Sequence, residues 1–345
     1  MTPEDEMSVS EEVATGAGRR PSEAAGEAVC SPWLLSPALD GLLIANLAWP
    51  VLVLFQSTAG FAEHSGISFL QLYFVTTPHR WITLAVILTD RQRFLRYRTP
   101  FLIIAGLVIT LTLMTRLLTQ ALTCLLAVDY AWNAWHFAAQ HHGIRRIYQK
   151  SAGAAHNSGG TAEKWILRGF VLFVIVRTAA STASEAAWQL LAHADIPMLL
   201  LAVILLLRCL ASPRPHKIGE FLYLLSTLAL YSALLLSVRF VQPELTLRLA
   251  TASAWFHASE YLAVVAWRIQ QQSSVEATSA GAAWGLLAGC GLNLITFMLV
   301  TGFSSWQLQQ AAEETWLTVN VIVAFMHYAC DGMIWKSLPT SPRIH

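Results

Sequence analysis

Four histidines, His79, His136, His257 and His327, lie inside long apolar stretches, where an ionisable side chain is tolerated only if it is paired or ligated. Neutral imidazoles brought together offer lone pairs to iron, zinc or copper. Counting from each histidine to the first basic residue beyond its stretch gives twelve residues to Arg91, nine to Arg145, eleven to Arg268 and nine to Lys336. At about 1.5 Å per helical residue, all four would share a layer roughly 13 to 18 Å from one boundary.

Three of them carry polar company on their own helical face. Asp129, Asn133, His136 and Gln140 follow at offsets 0, 4, 7 and 11; Ser253, His257 and Glu260 at 0, 4 and 7, with Tyr261 adjacent; Asn320, His327 and Asp331 at 0, 7 and 11. Such offsets are stripes at the helical period. A histidine followed one turn later by a carboxylate is the spacing by which helical bundles present metal ligands inward. The expected ligands are therefore His79, His136, His257 and His327. Glu260 and Asp331 would complete the shell or act as acid and base. Asp129, Asn133, Gln140 and Tyr261 are secondary candidates. A mixed imidazole and carboxylate set favours iron or zinc over copper, and iron is the expected metal. Of the five scattered cysteines only Cys330 lies near this layer, so thiolate ligation is not expected.

Arg80 and Arg177 fall near the same level and are expected to meet Glu260 or Asp331, balancing the charge of the site; the competing reading is snorkelling to the interface. His141 and His142 lie off the face of His136, at the end of their stretch, and read as surface imidazoles near the headgroups. They stay in play as ligands because the adjoining Gly143 could unwind the helix. His64, His156, His193, His216 and His345 fall in loops, near stretch ends or in the tail, and read as solvated. Pro78 should kink the second stretch and free carbonyls beside His79. Trp81, Trp135 and Trp255 either wall a hydrophobic pocket or pack.

The elements that must position these groups follow from composition. Of 345 residues, 55% are hydrophobic and 12% charged, a balance that makes the bilayer the solvent. About ten stretches are long enough to span it, at 36–57, 67–89, 100–116, 119–143, 166–186, 190–208, 219–239, 247–267, 282–303 and 314–335. Basic residues cluster after the even-numbered stretches, which puts both termini in the cytoplasm and runs all four histidine-bearing helices in one direction. The expected fold is an all-α, polytopic transmembrane bundle over 32–337, with tails at 1–31 and 338–345. Gly281, Gly285 and Gly289 would let the ninth helix pack closely on a neighbour. A net charge of +1 without a basic face argues against nucleic acid as a partner, leaving membrane lipid or a lipid-soluble molecule, in what reads as a bacterial inner membrane. Oligomeric state is left open.

The segment WHFAAQHHG at 135–143, with histidines spread over several apolar stretches, resembles the Brp/Blh-type carotene-cleaving oxygenases. The resemblance implies a helical membrane bundle with histidine-bound iron that splits a carotenoid with dioxygen, and it carries over directly to His136 alone. Gln140 stands where that family's pattern would place an acidic residue. His136, His141 and His142 also resemble, more loosely, the histidine box of membrane desaturases and hydroxylases. The leading expectation is a membrane oxidoreductase or oxygenase acting on a lipid-soluble substrate at a buried multi-histidine site. The alternatives are a b-type cytochrome holding haem, a proton-coupled transporter using the polar stripe of His136, and a purely structural role.

Overall fold

Runs of Leu, Ile, Val, Ala and Phe that exclude water oblige each backbone N–H and C=O to pair within its own segment, which favours helix. The computed structural model describes residues 31–58, 67–153, 160–183, 185–213, 216–273 and 291–335. Among them every regular element is helical. A short α1 (Pro37–Leu39) widens into a π-helical turn at Asp40–Ile44 and is followed by α2 (Trp49–Thr58). Then α3 (Ile67–Leu70) widens into a π-helical segment at Gln71–Thr76 and continues as α4 (Thr77–Thr89). The remainder are α5 (Arg91–Thr119), α6 (Thr123–Ser151), α7 (Thr161–Ala183), α8 (Glu185–Ala192), α9 (Asp195–Ala211), α10 (Ile218–Arg239), α11 (Pro243–Ser273), α12 (Gly291–Ala311) and α13 (Glu313–Trp335).

Over the described residues, the apolar stretches fall largely on helix, but not as uniform rods. The first bends by 46° between Pro37–Ile44 and Trp49–Gln56, and the sixth by 48° between Glu185–Ala192 and Asp195–Ala211. Among the described residues two helices, Phe94–Thr119 and Ile218–Arg239, are long and apolar enough to cross a membrane, and up to four if each bent pair is one span. The arginines after the second stretch are not in a loop: Arg91, Arg96 and Arg98 open α5, because arginine is a good helix former and the chain breaks only at the extended Asp90. Gly143 does not unwind α6, which runs on to Ser151. One interior glycine costs only about 1 kcal/mol, and burial of Ile144 and Tyr148 beyond it outweighs that. Residues 282–290, with Gly281, Gly285 and Gly289, lie outside the described residues, as do His64, His156, His345 and both tails.

Among the described residues two large apolar cores hold the helices, with a smaller third cluster of Leu122, Val321, Ala324, Phe325 and Tyr328. The larger joins Phe170 and Val174 of α7, Leu205 of α9, Leu228 and Leu235 of α10, Phe256 of α11 and Phe137 of α6. The second joins Ile82, Val86 and Ile87 of α4, Phe101 of α5, Leu262 and Val265 of α11 and Met326 of α13. α11 belongs to both, and α4, α6, α11 and α13 meet where the cores adjoin. The outside is apolar as well: Leu107, Leu117 and Leu118 of α5 and Leu200, Val203 and Leu207 of α9 are exposed. Contiguous apolar surface of this kind calls for an apolar surrounding.

Buried polar clamps tie the helix ends. Asp40, itself buried, accepts from the backbone N–H of Leu34 and Leu35 and from the Tyr148 hydroxyl at 2.7, 2.9 and 2.9 Å. Arg145 of α6 bonds Glu220 of α10 at 3.0 Å and Glu163 of α7 at 2.7 Å. Arg177 does not reach Glu260 or Asp331. It pairs with Asp195 at 3.0 Å and lies over the Trp188 ring, because the bend between α8 and α9 delivers that carboxylate to it; Arg239 adds a longer contact at 3.4 Å. This clamp joins α7, α9 and α10 away from the histidines.

The clamp makes a prediction. Arg177→Met leaves Asp195 buried with only a peripheral cation, a loss of about 3–5 kcal/mol for a broken buried pair. The thermal midpoint in detergent falls accordingly, and Arg177→Met combined with Asp195→Leu recovers most of it. A single variant as stable as wild type would show that the pair is not a clamp.

Candidate metal centre

His79 is aimed by an unusual stretch of helix. Pro78 has no N–H to give, and the π-helical segment before it absorbs the mismatch: the Thr77 hydroxyl donates to the Leu72 carbonyl at 2.8 Å. Its aromatic side chains lock this segment against α12, with Phe74 edge-on to Phe303 at 5.0 Å. Gly302 allows the approach, since a Cβ there would stand 2.6 Å from the Phe74 ring and 2.8 Å from the Tyr73 carbonyl. The Leu72 carbonyl thus accepts from both the N–H and the hydroxyl of Thr77, and the bend orients the ring that follows.

The four histidines come together. The His79 ring centroid lies 4.4 Å from that of His327, 4.9 Å from His257 and 6.2 Å from His136. His136 is 4.7 Å from His327 and 5.0 Å from His257. All four are buried. His79, His136 and His327 each offer a nitrogen within 4.8 Å of the others, a group that could hold a metal ion. His257, stacked on Phe137 at 3.6 Å, adds a fourth ring beside them.

Hydrogen-bond direction fixes what one of these rings offers. Tyr261 donates its one proton to Asp331 Oδ1 at 2.8 Å. Its oxygen must then accept from the Thr83 hydroxyl at 2.8 Å, and Thr83, its proton spent, must accept from Nδ1–H of His327 at 2.6 Å. His327 therefore keeps its lone pair on Nε2. The Nδ1 of His136 faces the other Asp331 oxygen at 3.8 Å, which favours the same tautomer. The two Nε2 atoms stand 3.0 Å apart. An Nε2–H on His136 donates to the His327 lone pair across this gap, and in the other His136 tautomer two lone pairs face one another as a cation would need. The separation is what two bonds of about 2.1 Å to one ion span near a right angle. Neither nitrogen of His257 has a hydrogen-bond partner, and those of His79 have none at bonding distance, although the Thr76 carbonyl lies one turn back. Buried nitrogens without partners are the mark of a binding site.

A second buried polar cluster lies beyond His257. His141 is fully buried, not a surface imidazole: its Nδ1 meets the Tyr223 hydroxyl at 2.8 Å and Glu260 at 3.2 Å, and its Nε2 meets the Tyr231 hydroxyl at 3.1 Å. Glu260 also accepts from Tyr223 at 3.0 Å and from Gln140 at 2.6 Å, and Gln140 donates as well to the His257 carbonyl at 2.8 Å. Glu260 thus serves His141 and the tyrosines, with no contact to the trio. Asp331 sits behind His327 and His136 as their orienting carboxylate. Asp129 and Asn133 both accept from or face the Tyr328 hydroxyl, at 3.0 and 3.1 Å, and His142 is half-buried, outside the cluster. Trp81 and Trp135 are exposed and do not wall the site from within. Thr83, Tyr223, Tyr231 and Tyr328 were not among the sequence candidates. Hydroxyls carry no ionisable signature at membrane depth, and of the signals available only the i+4 spacing of Thr83 from His79 pointed to it.

Tyr261→Phe or Thr83→Val cuts the chain that holds the His327 proton on Nδ1. Metal affinity, measured by chelator competition, falls about 10- to 100-fold while the helical circular-dichroism signal is unchanged. Unaltered affinity in both variants would show that the chain does not set the tautomer. Comparison with protein-family models, with curated proteins and with solved structures finds no match for this chain.

Proposed function

We propose that this chain is an integral membrane, metal-dependent oxidoreductase of the oxygenase kind, acting on a lipid-soluble substrate at the histidine centre. The observation that carries it is the set of four buried imidazoles from α4, α6, α11 and α13, two with Nε2 atoms facing at 3.0 Å and two with unpartnered nitrogens. His79, His136, His257 and His327 hold the ion in this reading, and Asp331 orients two of them. A ring set of imidazoles with neighbouring carboxylates suits iron, which supplies redox chemistry with dioxygen when bound. The resemblance of 135–143 to the Brp/Blh-type oxygenases points the same way. The protein's own contribution is a dry, rigid cage that fixes four rings and the tautomer of His327 before any substrate arrives.

The membrane half of the proposal is a multi-pass protein of the bacterial inner membrane, with about ten spans and both termini cytoplasmic. It is supported by the apolar exterior, by the two to four helices apolar enough to cross a bilayer, and by the basic residues after even-numbered stretches. A haem reading is less favoured: axial ligation needs two opposed imidazoles with a macrocycle between them, whereas these four rings crowd edge to face within 6.2 Å.

Detergent-purified protein is expected to carry a stoichiometric transition metal on elemental analysis, and His136→Ala and His327→Ala are expected to lose it while remaining helical. Loading also falls on acidification, since protonated imidazoles cannot ligate. Wild type purified without metal, and unable to take up ferrous or zinc ion, would overturn the proposal.

A further inference from the structure

Several cations of the bundle have their carboxylates in place. Arg177 holds Asp195, Arg145 holds Glu220 and Glu163, and Arg208 shares Glu163. Arg80 meets neither Glu260 nor Asp331, as the sequence had suggested, but lies beside Tyr328, whose hydroxyl is bonded to Asp129. Lys164 and Arg168, one turn apart on α7, are different: among the described residues neither pairs with a carboxylate. Each lies over an indole instead. The Lys164 ammonium is 5.3 Å from the centre of the Trp165 ring, the Arg168 guanidinium is 5.6 Å from that of Trp135 on α6, and the two indoles stand 6.3 Å apart. An indole face attracts a cation but carries no charge to cancel it.

The same patch receives two more groups from α6. His142 and Arg146 follow Trp135 by seven and eleven residues and so share its face of the helix. Arg146 donates to the neutral Gln149. Nε of Arg168 and Nδ1 of His142 are enclosed, and neither has a hydrogen-bond partner. The seam between α6 and α7 therefore ends in positive charge with polar atoms unmet. Farther along it turns apolar: Trp135 and Trp165 are exposed, Tyr130 reaches from α6 to the Ile175 carbonyl at 3.0 Å while itself exposed, and the exposed Val176 follows on α7. Basic residues, then indoles, then a phenol and aliphatic surface, is the order in which a bilayer changes from headgroup to chain.

We propose that the α6–α7 seam binds an acidic phospholipid, its phosphate held by Lys164 and Arg168 and its acyl chain lying along Trp135, Tyr130 and Val176. A phosphate supplies the charge that both cations lack and acceptor oxygens for a guanidinium fork. Basic pockets between helices at a membrane face recognise headgroups in this way. A small anion would meet the cations but leave the rings and aliphatic surface uncovered, and a zwitterionic lipid brings an ammonium that the cations repel. The proposal rests on the membrane placement of the chain and is independent of the metal.

The test is native mass spectrometry of the detergent-purified protein titrated with phosphatidylglycerol and with phosphatidylcholine of the same chains. Wild type is expected to bind the acidic lipid at least about tenfold more tightly. Lys164→Gln with Arg168→Gln is expected to bring it down to the level of phosphatidylcholine, leaving phosphatidylcholine binding and the helical circular-dichroism signal unchanged. Arg91→Gln with Arg98→Gln removes the same charge from exposed positions on α5 and is expected to keep the preference. Equal binding of the two lipids by wild type, which needs no variant to fold, would overturn the site and leave the membrane placement standing. An equal loss in the α5 variant would overturn it in favour of general surface charge, and displacement of the lipid by excess inorganic phosphate in favour of a small anion. Recovery of the chain in the soluble fraction without detergent would overturn the membrane placement and this proposal together.

Discussion

Two imidazole nitrogens meet at 3.0 Å, a contact that one proton or one cation can close, and much of the bundle serves to keep His136 and His327 in that position. α13 cannot relax away, because Tyr328 is bonded to Asp129 on α6 and Thr83 on α4 grips Nδ1 of His327. α4 cannot slide, because the π-helical segment ahead of it is wedged against α12 at Gly302. α11 binds both cores and carries Tyr261, the middle link of the chain to Asp331. These independent restraints fix both rings whether a proton or a cation closes the gap between them.

The two buried polar clusters differ in one decisive respect. Around His141 each ring nitrogen has a partner, and both Glu260 oxygens accept hydrogen bonds. That network is satisfied at its ring and carboxylate atoms, with only Gln140 Oε1 left over, and stabilises the packing of α6, α10 and α11. Around His79 and His257 four ring nitrogens are left over. Burying an unmet polar atom costs about 1–3 kcal/mol, so a fold would not accumulate four of them in one place without something to offset it. Satisfaction, not histidine content, separates the scaffold from the site.

That distinction explains how far the amino-acid sequence could be read. Depth along a helix and direction of travel add up reliably from residue counts, so four histidines at equal distance from basic boundaries could be grouped before any coordinates. Lateral placement is not encoded in depth. Arg177 sits near the right level but on α7, where the bend before α9 supplies Asp195. His141 is five residues from His136, about 140° around the helix, and was read as facing outward. α6 is instead packed on several sides, by α7, α10, α11 and α13, so a residue off one buried face can lie on another. The helices themselves were visible as apolar runs; their two breaks and the π-helical segments were not, since those depend on which neighbour bonds the freed carbonyl.

The chain from His327 through Thr83 and Tyr261 has one fixed end, and it is Asp331. While Asp331 is a carboxylate it can only accept, and that single fact propagates through three hydrogen bonds to place the His327 proton on Nδ1. Were Asp331 neutral, Tyr261 would no longer be obliged to donate to it; the three bonds could all reverse and the Nε2 lone pair would be lost. Asp331 is also the most exposed member of the chain, its side chain 18% accessible against a buried His136. The orientation of a fully enclosed imidazole is thus governed by a charge at the margin of the site. A direct carboxylate ligand would have neutralised the ion, whereas a carboxylate two hydroxyls away leaves the ion its charge and controls only the geometry of its ligand.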